Sequence, residues 1–126
     1  MPVEHSDFLR SAADLASSSE TCEMTARNAG SRAYYALYHK AKRLLEDNGA
    51  NLVKVDNAGS HESLISAIAV QGVKGKSIAE SLSRFKRFRN NCDYDLDISI
   101  SAKKLALQLA EANRLVGMLD RLEINP

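Results

Sequence analysis

The chain has 126 residues and a formal net charge of +1, with 44% hydrophobic and 26% charged residues. That size and balance predict a single domain, 1–126, with one core, and exclude a disordered chain. The near-neutral total excludes a global basic signature of nucleic-acid binding, so any such surface must be local.

Two cysteines, Cys22 and Cys92, are too few for a disulfide framework and fit a reducing compartment. No stretch approaches the roughly twenty apolar residues that a membrane span needs. The first residues, Met1 to Asp7, show no basic region followed by an apolar run. The expectation is a cytoplasmic protein with no cleaved leader and no membrane segment.

Taken in order, residues 6–18 read as a first helix, with Ser6 or Asp7 as cap and Phe8, Ala12, Leu15 and Ala16 as its apolar stripe. The polar run Ser17-Ser18-Ser19-Glu20 breaks or bends the chain. A longer helix follows over 23–47. Gly30 weakens its first third, whereas Ala33, Leu37, Ala41, Leu44 and Leu45 are spaced for burial. Tyr34, Tyr35 and Tyr38 crowd the same turns and read as core or interface aromatics whose hydroxyls reach a partner. Asn48-Gly49 stops this helix.

Residues 49–60 read as a loop, and Ser60 caps a third helix over about 61–71. Gly72-Val73-Lys74-Gly75-Lys76 reads as a second loop, and Ser77 opens a fourth helix to about 91. Ile78, Leu82, Phe85, Phe88 and Cys92 form the inner face of that helix. Residues 93–101 are irregular. Leu96 to Ile100 alternates like a strand, but no partner strand exists. Ser101 caps a last helix to about Leu122, with Leu105, Leu109, Ala112, Val116 and Leu119 inward. The fold class is all-α: an antiparallel bundle of four to five helices.

Several chemistries fail on their spacing. His61-Glu62 begins like a zinc-protease helix, but Ile65 stands where the second His must be. The cysteines and histidines have no zinc-ligand spacing, so no metal is expected. Gly75-Lys76-Ser77 lacks the upstream glycine and strand of a phosphate loop, and no dinucleotide loop or other cofactor motif is present. His39 and His61 are general-base candidates, although each alone reads as a surface or helix-end residue.

The most unusual run is Phe85 to Asp97. Its cations, Arg84, Lys86, Arg87 and Arg89, give way to Asp93, Asp95 and Asp97. Residues 73–90 hold Lys74, Lys76, Arg84, Lys86, Arg87 and Arg89 against Glu80 alone, a local excess of five positive charges. Asp93 lies four residues after Arg89, so on a helix the two can pair. As an exposed pair they are worth about 0.3–0.5 kcal/mol.

Ser31-Arg32-Ala33-Tyr34-Tyr35-Ala36, followed by Tyr38 and His39, resembles the second helix of small prokaryotic HEPN-domain proteins. Ser60-His61-Glu62 is similar to the start of their third helix. Arg89-Asn90-Asn91-Cys92-Asp93-Tyr94-Asp95 is similar to their R-N-x-x-D-Y-D variant. The resemblance covers most of the chain. It implies a helical bundle, usually a homodimer, and in many members a metal-independent endoribonuclease built on an Arg, a polar residue and a later His. Arg89 and Asn90 match the first two positions. Tyr94 stands where the His is expected, and a phenol of pKa about 10 is a poor base at neutral pH.

Two functional readings follow from the resemblance. In the first, the protein acts on RNA in a toxin–antitoxin or defence-type system. Arg89 and Asn90 hold and orient the scissile phosphate, and Asp93, Tyr94 or His39 stands in for the missing base. Arg32, Arg84, Lys86 and Arg87 bind RNA phosphates. In the second, it is a non-catalytic module that binds a nucleotide or a partner such as a nucleotidyltransferase. Neither reading calls for a cofactor.

Overall fold

A computed structural model describes residues 2–17, 22–50 and 59–125. Five helices occupy them: α1 (His5–Ala16), α2 (Glu23–Asp47), α3 (Ser60–Ala69), α4 (Gly72–Tyr94) and α5 (Ala102–Asp120). There is no strand among the described residues. The expected helices are all present, and α2 has the expected bounds. Residues 18–20 of the polar run and 51–58 of the first loop lie outside the described residues.

The apolar spacing explains the packing. Ala26, Ala29, Ala33, Leu37, Ala41 and Leu45 put a narrow buried stripe along α2, and α2 touches each of the other four helices. Small residues on that stripe let neighbouring backbones approach closely. Contacts fix the directions. Phe8 of α1 meets His39, and Arg32 meets Ser11, so α1 runs against α2. Arg27 reaches Cys92 while Tyr34 reaches Arg89, so α4 also opposes α2. Glu62 of α3 meets Lys86, and Lys104 of α5 meets Phe88, so both α3 and α5 oppose α4. The pairs α1–α2, α3–α4 and α4–α5 are therefore antiparallel, whereas α3 runs parallel to α2, so the expected antiparallel bundle is broken between those two helices.

Gly30 has a structural role beyond its low helix propensity. A Cβ there would lie 2.7 Å from Cys92 Sγ and 2.8 Å from Phe88 Cε2. It marks the tight crossing of α2 and α4.

The start of α4 corrects the sequence expectation. Gly72 to Lys76 is not a loop, and Ser77 does not open the helix: α4 already begins at Gly72. The glycines there serve a tight corner. Gly72 has φ +78°, and a Cβ on Gly75 would sit 2.3 Å from the Ile68 carbonyl oxygen. The first turn of α4 thus abuts the last turn of α3, which only glycine permits. Caps also shift. Glu4 precedes α1, and its N–H donates to Asp7 Oδ2 at 2.8 Å. Gly59 precedes α3, while Ser60 is the first helical residue. Ser101 does cap α5, accepting from the Lys104 N–H at 3.1 Å.

The far end of α4 is held by Arg27, a residue to which sequence reasoning assigned no role. Its side chain is only 6% exposed. The guanidinium donates to the carbonyls of Asn91 (2.9 Å), Cys92 (3.1 Å) and Asp95 (3.0 Å), and also to that of Ile98. Glu23 pairs with Arg27 at 3.3 Å and accepts the Ile100 N–H at 2.7 Å. One cation thereby caps the Asn91 and Cys92 carbonyls among those that a helix C-terminus leaves open and pins the strand-like segment 96–100 as an irregular strap.

Two substitutions test this packing. Gly30→Ala is expected to destabilise the fold by about 1–3 kcal/mol through overpacking, although helix propensity alone favours Ala by about 1 kcal/mol. Urea denaturation that finds a gain would refute the close crossing. Arg27→Met keeps the stem, removes the guanidinium from the Cys92 and Ile98 carbonyls, and leaves those of Asn91 and Asp95 with only their 3.3 Å backbone bonds from the Asp95 and Ile98 N–H groups. We expect a loss of about 3 kcal/mol or more, with faster amide exchange over residues 92–100.

Candidate functional site

The antiparallel α2–α4 pair brings Tyr34, Tyr35 and Ser31 opposite Arg89 and Asp93. Arg89 sits on the same face of α4 as Phe85, Phe88 and Cys92, so its side chain turns inward and is 7% exposed. The guanidinium carbon lies 5.1 Å from the Tyr34 ring centroid, 5.6 Å from that of Tyr35 and 5.9 Å from that of Tyr94. Asp93 approaches Nη1 at 3.6 Å, close enough for an ion pair but long for a hydrogen bond. Its Oδ2 accepts from Ser31 Oγ at 3.1 Å. Arg89 Nε is buried and has no hydrogen-bond partner among the described residues.

This geometry revises the expected surface salt bridge. Arg89 is a buried cation with one loose carboxylate, and burying a charge without full pairing is costly. The three tyrosine faces return part of that cost, since each cation–π contact is worth about 0.5–2 kcal/mol. What remains is a guanidinium with unused donor capacity.

His61, the second residue of α3, completes the group. Its Nδ1 lies 2.7 Å from the Tyr34 hydroxyl. Its ring centroid is 4.7 Å from that of Tyr38, 5.5 Å from that of Tyr34 and 6.2 Å from that of Tyr35. Burial, then the charge of Arg89 and of Lys86, holds the His61 pKa below its ordinary value, with Glu62 opposing. Burial pushes the Tyr34 phenol far above its usual range. At neutral pH the site therefore contains one fixed cation, a neutral imidazole and a protonated phenol.

The structure gathers some of the residues expected from sequence and separates others. Arg89, Asp93 and Tyr94 meet at the C-terminal end of α4, and Asn90 is half-buried beside them. Tyr94 is 73% exposed while its ring still reaches Arg89. His39 is elsewhere. Its ring packs on Phe8 at 5.1 Å, in a groove on the α1 side with His5, Lys42 and Arg43. Helical geometry explains this: His39 is five residues from Tyr34, so it points well away from that face. Arg32 also faces α1 and donates to Ser11. Arg84 lies over α5 and donates to Ser81 at 2.9 Å, and Arg87 is exposed. Lys86 pairs with Glu62 at 2.6 Å, near His61. Positions 84, 86, 87 and 89 advance by about 100° per residue around the helix, so the basic run does not form one surface.

His61 and the tyrosines are the residues that sequence reasoning left outside the site. One signal pointed to them: Arg27, Tyr34 and Tyr38 lie on or beside the apolar stripe of α2, and polar groups there must find partners.

No family model matches the chain. The sequence is similar to an uncharacterized protein of Methanocaldococcus jannaschii. The two are 29% identical over 93 residues, covering 63% of this chain and 52% of that protein. The match spans about half the length of that relative.

The histidines make stability depend on pH. His5, His39 and His61 are all held below the ordinary value of 6.5, chiefly by burial. The unfolded chain therefore binds protons first on acidification. Their contribution is complete above about pH 6.5 and is lost as pH falls from there through the lower folded-state values. Urea midpoints should drop between pH 7.5 and pH 5.5, and the drop should shrink in His61→Gln. A midpoint that rises on acidification would contradict these environments.

Proposed function

We propose that the protein is a HEPN-type domain that binds RNA at Arg89, within a toxin–antitoxin or defence-type system, and cuts it without a metal. The observation that carries this reading is the buried Arg89 guanidinium, surrounded by three tyrosines and lacking a full set of partners. A planar guanidinium suits a phosphate because it offers paired donors and stays charged at any working pH. Tyrosine faces beside it offer stacking for unpaired bases, worth about 1–3 kcal/mol per base in single-strand binders. The chain matches the HEPN pattern in the order Ser31–Ala36, Ser60–Glu62 and Arg89–Asp95, and a bundle of five helices suits that fold. In this reading two copies associate, as is usual for that family, in the cytoplasm.

Cleavage would proceed by attack of a ribose 2′-hydroxyl on the adjacent phosphorus. Asp93, as the stand-in base, takes the 2′-hydroxyl proton, the P–O5′ bond breaks and the departing O5′ takes a proton from water, giving a 2′,3′-cyclic phosphate and a 5′-hydroxyl. Arg89 stabilises the developing phosphorane charge. One observation favours the second reading, a non-catalytic module for a nucleotide or a nucleotidyltransferase. Tyr94 occupies the motif-His position, and its ring stands 73% exposed at the rim.

The decisive experiment pairs Arg89→Met with wild type. The wild-type protein should bind single-stranded RNA, with affinity falling about tenfold or more between roughly 50 and 200 mM salt. It should cut bulk RNA in EDTA. Arg89→Met should abolish both while its melting temperature stays equal or rises, because an apolar isostere replaces a poorly paired buried charge. Binding without cleavage selects the non-catalytic reading. RNA binding that is absent at low salt, or intact in Arg89→Met, refutes the assignment.

A further inference from the structure

Tyr34 is 1% exposed and its phenol stays protonated. Its hydroxyl proton must go to an acceptor, and among the described residues that acceptor is His61 Nδ1 at 2.7 Å. A neutral imidazole whose Nδ1 accepts carries its hydrogen on Nε2. With the Tyr34 phenol as the donor of this bond, His61 takes the tautomer that presents a neutral Nε2–H and no free lone pair. Arg89 lies over the Tyr34 and Tyr35 rings, and His61 meets the same two residues from the side, at the Tyr34 hydroxyl and edge-on to Tyr35, near enough for the Arg89 charge to act on its ring.

We propose that Arg89 and His61 form a two-donor cradle for a phosphate group, with Tyr34 as the positioning residue that sets the His61 tautomer. Its place on the RNA strand rests on the function proposed above, but the cradle itself does not. The division of labour follows from charge. A second cation beside Arg89 would repel it and add a desolvation cost. A neutral imidazole adds direction without repulsion, as neutral histidines do where they act as electrophiles. The buried Arg89 Nε, without a partner among the described residues, marks a guanidinium that the protein's own acceptors leave under-used. Asp93, Glu62 and Lys86 stand around the pair. Asp93 competes with an anion for Arg89, and the Glu62–Lys86 pair at 2.6 Å keeps the Glu62 carboxylate engaged.

The ligand class is a phosphate, whether a diester link of an RNA strand or the free ion. The test is nitrogen-15 NMR of the histidine side chains, with titrations of inorganic phosphate and of a single-stranded RNA oligonucleotide. The free protein should show His61 as the Nε2–H tautomer. Both anions should shift that signal. His61→Ala should weaken phosphate and RNA binding by about fivefold, the usual worth of one hydrogen bond. His61→Gln, which keeps a neutral donor near the Nε2 position, should recover most of it. Tyr34→Phe keeps the ring and should mix the His61 tautomers, an effect that loss of packing alone would not produce.

A wild-type Nδ1–H tautomer, or phosphate affinity within twofold of wild type in His61→Ala, overturns the cradle. The two proposals fail separately. If phosphate shifts His61 but RNA does not bind, the RNA reading falls and the cradle stands. If RNA binding is lost in Arg89→Met yet unchanged in His61→Ala, the cradle falls and the RNA reading stands.

Discussion

The grip of Arg27 on the end of α4 is the interaction on which the candidate site depends. A helix C-terminus leaves its last carbonyls without intrahelical donors. Here a guanidinium from α2 takes those of Asn91, Cys92 and Asp95 together, and Ile98 beyond them. Asn91, Cys92 and Asp95 flank Asp93 and Tyr94, and Asn91 and Cys92 lie within one turn of Arg89. The register of α4 against α2 is thereby set at the point where Arg89 must meet Tyr34. Gly30 contributes to the same register: by lacking a Cβ it lets Phe88 and Cys92 close onto α2.

Two buried arginines on the same helix pair have different surroundings, and the difference separates structure from function. Arg27 has four carbonyls and a carboxylate at 3.3 Å. Such a cation is saturated and acts as a staple. Arg89 has a carboxylate at 3.6 Å, three aromatic faces and an Nε without a partner among the described residues. An incompletely satisfied buried charge is a cost that folding alone does not explain. Stability–function trade-offs of this kind concentrate at binding sites, so Arg27 is a structural staple and Arg89 the candidate ligand-binding group.

The helices were legible because their apolar residues repeat with the helical period, and Ser101 was legible as a cap because its local chemistry matched the real one. Features set by contacts between helices were not. Gly72 to Lys76 has loop composition, yet it forms the first turn of α4, because two glycines are needed where α4 starts against Ile68. The run of cations from Arg84 to Arg89 looks like one surface in one dimension, but it disperses around the helix to α5, to Glu62, to solvent and to the tyrosines. His39 and His61 looked alike as lone helical histidines. Only the approach of α3 to α2 decides that His61 lies beside Tyr34 while His39 faces Phe8. Arg89 was singled out from its motif, but its burial was not foreseen, since adjacent charges suggested a solvated face.

The tyrosine cluster does two jobs that no other residue type combines. Its faces accept the Arg89 charge, which phenylalanine would also do. Its buried hydroxyl on Tyr34 orients His61, which phenylalanine would not. That hydroxyl is 27 residues from its partner, so a single hydrogen bond ties the start of α3 to the middle of α2. The lowered basicity of His61 then follows from its position rather than from any special partner: it is partly desolvated, with Arg89 and Lys86 nearby. The same burial that makes the site costly to fold also sets its protonation states. The site thus pairs one permanent cation with an imidazole whose charging is shifted to lower pH, so the uncharged ring is the favoured form at neutral pH.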